Sequence, residues 1–212
     1  MILNYDQAKR DLAALPKGYK TAEVDVLIKK YIKEKADTSP LREHVLEHLD
    51  IHRIYFYVTL KQMKSVRERM VFIHNNLLFD KWQHTDELIS FVADLDFDAA
   101  LGYAKEYIKS NDPFVKRWGY VMFISRLGRG RAEKLLPLIK DDEHYYVQMG
   151  EAWLIAELAI FEPEFVYKWL SECELKYNVT GKAVQKICDS FRVTDEWKGN
   201  FKALRSHLKE NL

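Results

Sequence analysis

The sequence predicts an all-α fold, an α-solenoid of antiparallel helix pairs. Three observations point to it. Apolar residues recur with a period near 3.6 along almost the whole chain. The 212 residues include only 8 Gly and 5 Pro, whereas an all-β chain needs turn residues every ~8–12 positions. One long segment is apolar on more than one face, so it packs on more than one side and belongs inside a stack.

Taken in order, breaks fall near 15–18, 37–40, 79–80, 94–96, 110–113, 128–130, 141–142, 162–163, 178–181 and 193–195. Between them lie segments of about 10–20 residues, the usual helix length, giving about ten to twelve helices. Helix pairs then recur roughly every 35–45 residues, the spacing of degenerate helical repeats. No low-complexity linker separates two halves, so residues 1–212 form one domain.

Two segments carry the helical signal most clearly. Asp112 caps a helix and Pro113 suits its first turn, where a missing N–H costs nothing. Phe114, Val115, Trp118, Val121 and Met122 follow as one apolar stripe, with Arg117 and Tyr120 off it. The doubly apolar segment is 144–161. Tyr146, Met149, Trp153, Ala156 and Ile160 line one face, and Tyr145, Ala152, Ile155 and Ala159 a second.

Composition narrows the function classes. Hydrophobic residues at 48% and charged residues at 31% exclude a disordered or collagen-like chain. With 33 Lys+Arg against 32 Asp+Glu the formal charge is +1, so a dominating nucleic-acid field is absent, though a local basic surface remains allowed. No apolar run reaches the roughly 18–20 residues that span a bilayer. The first residues lack the basic and apolar regions of a signal peptide, and Cys173 and Cys188 are too few for a disulfide framework. These features read as a cytoplasmic, reduced protein with no membrane partner.

Four groups of residues invite a chemical reading. His44, Glu47 and His48 spell H-x-x-E-H, and His52 follows, so a continuous helix would put three imidazoles on one face, two of which could ligate Zn²⁺ given a third ligand and an enclosed cleft. Asp80 and Gln83 read as a capping box that starts a helix. Trp82 and Asp86 then share a face one turn apart. An indole beside a carboxylate grips a cation, or else the indole packs between helices with Asp86 solvated beside it. Trp153 reads as core on pattern alone. Arg126, Arg129 and Arg131, spaced by Gly128 and Gly130, form either a phosphate-binding loop or a solvated turn. G-x-G-x-x-G, Walker, G-x-S-x-G and C-x-x-C patterns are all missing, which argues against nucleotide-dependent and serine-hydrolase chemistry.

Several blocks together resemble the AlkD-type DNA alkylation-repair family. They are Tyr145-Tyr146-Val147 with Met149 and Ala152-Trp153; the run 181–193; Trp82 with Asp86; and 114–121 with its basic pair Lys116-Arg117. The resemblance runs from about Gly18 to the C-terminus. Two positions differ: Ala22 stands where the family's G-x-x-T-P-E block has Pro, and Asp25 where a basic residue is common.

The resemblance implies a HEAT-like helical solenoid with a concave face. It also implies a monomeric DNA glycosylase that excises cationic alkylpurines, such as 3-methyladenine and 7-methylguanine, from duplex DNA. Asp86 then matches the family's catalytic Asp, Trp82 and Trp153 its lesion-facing tryptophans, and Arg117 its DNA-contacting Arg. The expected chemistry requires no metal and no organic cofactor. A non-catalytic DNA- or protein-binding scaffold of the same family is the alternative.

Overall fold

Short polar side chains set the helix starts. The first N–H groups of a helix have no partner within it, and a preceding Asn, Ser or Asp accepts from them. Asn4 accepts from Gln7 N at 2.9 Å, Asp96 from Ala99 N at 3.0 Å, and Asp112 from Phe114 N and Val115 N at 2.8 and 3.2 Å. Ser65 and Glu68 exchange bonds in a reciprocal capping box. The computed structural model describes residues 1–175 and 177–210, with Tyr177 and residues 207–210 described as backbone only.

Among the described residues there are 13 α-helices and no strand beyond one isolated parallel bridge, Ile2 to Asp37. The chain divides into two compact units, Met1–Val92 and Ala93–Leu212. The first holds α1 (Tyr5–Ala13), α2 (Thr21–Lys33), a 3-10 turn (Ser39–His44), α3 (Leu49–Gln62), α4 (Val66–Asn75), α5 (Trp82–Asp86) and α6 (Ile89–Val92). Helix α3 packs on α2 and α5, and α4 on α6. Ile28, Tyr31, Ile54, Phe56, Leu60 and Ile73 are buried at its core.

The second unit holds α7 (Phe97–Tyr107), α8 (Pro113–Val121), α9 (Ala132–Leu135), α10 (Tyr145–Phe161), α11 (Pro163–Glu172), α12 (Tyr177–Asp189) and α13 (Asp195–Glu210). Helix α10 packs against α8, α11 and α12. This matches the expectation that the doubly apolar segment lies inside a stack.

Three expectations need correction. Arg117 and Tyr120 were expected off the buried stripe of α8, yet both are buried. Helix α8 is enclosed by α7 and α10, so its polar groups find partners inside: the Tyr120 hydroxyl donates to the Leu138 carbonyl at 3.2 Å, and Arg117 Nη1 to the Tyr146 carbonyl at 2.8 Å. The break expected at 178–181 does not occur, because α12 runs through it. Val179, Thr180, Ala183 and Val184 are buried there, and that burial outweighs the ~1 kcal/mol that Gly181 costs a helix interior. Helices also outnumber the expected ten to twelve, because Ser65 opens a new helix and the turn at Glu87 separates α5 from α6.

Gly119 tests the packing of α8 on α7. A Cβ there would lie 2.9 Å from Ile108 Cγ2 and 3.3 Å from the Ala104 carbonyl. Gly119→Ala improves helix propensity but is expected to destabilise by about 1–3 kcal/mol through overpacking. Denaturant titration measures it, and a gain in stability would contradict this packing.

Candidate functional site

Helix α5 is too short to stand alone, since a single turn costs more chain entropy than its few hydrogen bonds return. Its two faces differ. His84 and Thr85 are fully buried. Trp82 is 42% exposed and Asp86 half-buried, and their i, i+4 spacing places them on the same open face. The Thr85 hydroxyl lies 2.8 Å from the Trp82 carbonyl and 3.0 Å from Asp86 Oδ1, which ties the carboxylate to the turn. Trp82 is therefore not packed away between helices. The expected Asp80–Gln83 capping box is absent too: Lys81 is the residue before the helix, while Asp80 Oδ1 faces His84 Nδ1 at 3.1 Å.

The buried side of α5 rests on a chain of polar groups supplied by α3. Glu87 follows Asp86 directly and is held three times. Its Oε1 lies 2.5 Å from His52 Nδ1, its Oε2 accepts from Arg53 Nη1 at 3.2 Å, and its carbonyl accepts from the Tyr57 hydroxyl at 3.1 Å. Arg53 also stacks on the Tyr57 ring at 4.0 Å and donates to Asp25 from Nε and Nη2 at 3.0 and 2.8 Å. Asp25 is thus the counter-charge of Arg53. The His52 and His84 rings stack at 3.8 Å, 10° from parallel. Burial pushes both imidazoles towards neutrality, His84 down to about 4 with help from neighbouring His52. Burial raises the Glu87 carboxyl, and Arg53 opposes that rise.

This arrangement removes the zinc pattern. His44 closes the 3-10 turn, His48 precedes α3 and accepts from Asp50 N at 3.1 Å, and His52 is buried inside α3. The three imidazoles never share one helix, so the spacing that suggested Zn²⁺ does not exist in space. Among the described residues no group of three or more His, Cys, Asp or Glu is placed to hold a metal ion.

In the second unit, the face of α10 expected as core is the one left partly open. Trp153 and Ile160 are half-buried, and Tyr146 is exposed beside Tyr145. Trp153 lines a groove of about 330 Å³ with Ala156, Ile160, Lys186, Phe191 and Arg192. Polar residues of α10 that carry no apolar signal, Gln148, Glu151 and Glu157, are buried among its apolar ones. Glu151 accepts from Lys140 N and Asp142 N at 2.8 and 3.3 Å. Arg117 is 4% exposed, and its stem crosses α10 where Gly150 leaves room, since a Cβ at 150 would sit 3.3 Å from Arg117 Cγ. The arginine loop is engaged within the unit: Arg126 pairs with Asp94, Arg129 lies over Phe161 at 4.4 Å and Arg131 over Phe97 at 4.9 Å.

The four assigned residues thus divide between the units, Trp82 and Asp86 in the first, Arg117 and Trp153 in the second. The chain matches the family model described as DNA alkylation repair enzyme over residues 17–187, and it belongs to that family. No curated protein matches it. No helix among the described residues is long and apolar enough to cross a membrane. Glu87, Arg53 and His84 were not legible as site residues, although the adjacent acids Asp86-Glu87 were a usable signal.

The stacked histidines make stability depend on pH. An unfolded imidazole binds a proton near 6.5, while folded His84 does so only near 4 and His52 is also lowered. Between these values the unfolded chain takes up protons that the folded chain refuses, so stability falls as pH drops. Glu87 is raised and acts oppositely, leaving two groups against one. The expected net loss is roughly 1 kcal/mol per pH unit between about pH 6.5 and 5. Denaturation at stepped pH checks it, and His84→Gln should flatten the slope. A stability that rises towards pH 5 would contradict the assignment.

Proposed function

We propose that this protein is a DNA glycosylase that releases cationic alkylated purines, of the 3-methyladenine and 7-methylguanine type, from duplex DNA. It would act as a monomer on a single HEAT-like solenoid spanning residues 1–212, with the duplex along a concave face. Membership of the DNA alkylation repair family supports the reaction class. The observation that carries the site is the open face of α5. There a 42% exposed indole and a half-buried carboxylate stand on a helix whose opposite face is clamped.

The chemistry follows from charge. Alkylation at N3 or N7 makes the purine cationic and a good leaving group. Rupture of the glycosidic bond leaves an oxocarbenium-like sugar. Asp86 in this reading stabilises that sugar and orients water, an electrostatic role suited to a preorganised carboxylate. Trp82 and Trp153 present indole faces to the sugar and the cationic nucleotide. Family resemblance assigns Arg117 a phosphate contact. No metal or organic cofactor enters the mechanism. A binding scaffold without base release is the competing reading, and a net charge of +1, low for a duplex-binding enzyme, favours it.

Release of 7-methylguanine from methylated duplex DNA, in the presence of chelator, separates the two. Asp86→Asn is expected to slow release about ten- to a thousand-fold, as 1.4–4 kcal/mol of lost electrostatic stabilisation implies, with little change in stability. Trp82→Ala should cost rate and lesion preference while destabilising by less than the ~3–5 kcal/mol of a core tryptophan. Binding without release by the wild-type protein would select the scaffold. Arg117→Ala should lower the salt slope of binding by about one unit, and an unchanged slope would remove the phosphate contact.

A further inference from the structure

The turn after α12 displays Phe191 at 93% exposure, the highest of any large apolar side chain among the described residues. A loose loop would explain such exposure, but this turn is braced. Ser190 N donates to the Ile187 carbonyl at 3.2 Å, Arg192 N donates to Ser190 Oγ at 3.2 Å, and Val193 is buried. The Arg192 guanidinium makes a two-pronged pair with nearly buried Glu157 of α10, at 3.0 and 2.5 Å. The backbone on both sides of Phe191 is fixed, and the ring between is left in water.

Phe191 stands at the rim of the Trp153 groove. Two lysines one turn apart on α12 face two aromatic rings of α10. Lys186 Nζ lies 5.6 Å from the Trp153 ring centroid, and Lys182 Nζ 5.9 Å from that of Tyr145. Of the acids here, Glu157 is neutralised by Arg192 and Asp189 accepts from Gln185 at 2.8 Å. Rings alternating with ammonium groups suit one polymer, a nucleic-acid strand whose bases stack while its phosphates take the cations. We propose that Phe191 is a nucleotide-contacting residue, its ring stacking on an unstacked nucleotide of a DNA strand lying on the Trp153–Lys186 groove. This rests on the DNA reading above and adds a contact to it.

The test compares binding of two duplexes of one sequence, intact and with a stable abasic-site analogue that leaves neighbouring bases unstacked, by fluorescence anisotropy. Wild-type protein should prefer the abasic duplex. Phe191→Ala should weaken binding to that duplex about 5- to 100-fold, the range for one lost base–aromatic stack, and leave intact-duplex binding nearly unchanged. Phe191→Trp should restore the preference. An exposed ring holds no core together, so melting temperatures should agree. Equal affinities of wild type and Phe191→Ala for both duplexes would overturn the inference while leaving the DNA reading standing. A wild-type protein that binds neither duplex would overturn both.

Discussion

The grip of α3 on Glu87 is the constraint on which the candidate site depends. Helix α5 has five residues, too few to persist through its own hydrogen bonds. His52, Arg53 and Tyr57 lie on α3 and hold the side chain and carbonyl of the residue immediately after Asp86. Three bonds to one residue fix the end of α5 in position and rotation. The open face therefore presents Trp82 and Asp86 in one arrangement.

Such a clamp is costly in isolation. Burying charged groups forfeits hydration, and the loss is recovered only where every group is paired. Here Glu87 has Arg53, Arg53 also has Asp25 and the Tyr57 face, and the two histidines avoid the cost by staying neutral, their buried Nε2 atoms making no hydrogen bond among the described residues. Removing one member leaves another charge buried and unpaired, so the network specifies one geometry more than it adds stability. Asp25 fits this logic, because its carboxylate completes the Arg53 pair.

The second unit uses the same device around α10. Arg117, Glu151 and Glu157 are buried polar residues inside an otherwise apolar stack, and each meets a partner that sets a neighbouring segment. Arg117 fixes the first turn of α10 through the Tyr146 carbonyl, Glu151 the approach to α10 through two backbone N–H groups, and Glu157 the turn after α12 through Arg192. With the interior filled this way, the apolar strip containing Trp153 is left partly open as a groove wall.

The sequence by itself determined the helical class, most element boundaries and the family. These rest on local physics: a period of 3.6, caps such as Asp112 and Asp96, and residue types at fixed spacing. It also placed α10 among several neighbouring helices, because a helix apolar on two faces packs on more than one side. The tertiary structure decided which side chains lie inside. Arg117 and Tyr120 fall off the apolar stripe by periodicity, but enclosure of α8 buries them once a carbonyl accepts from each. Trp153 looks like core, yet the neighbouring helices leave its face open. His44, His48 and His52 look aligned until the chain puts them in a 3-10 turn, a helix cap and a helix interior. Each of these outcomes turns on partners distant in sequence, which spacing along one segment does not encode.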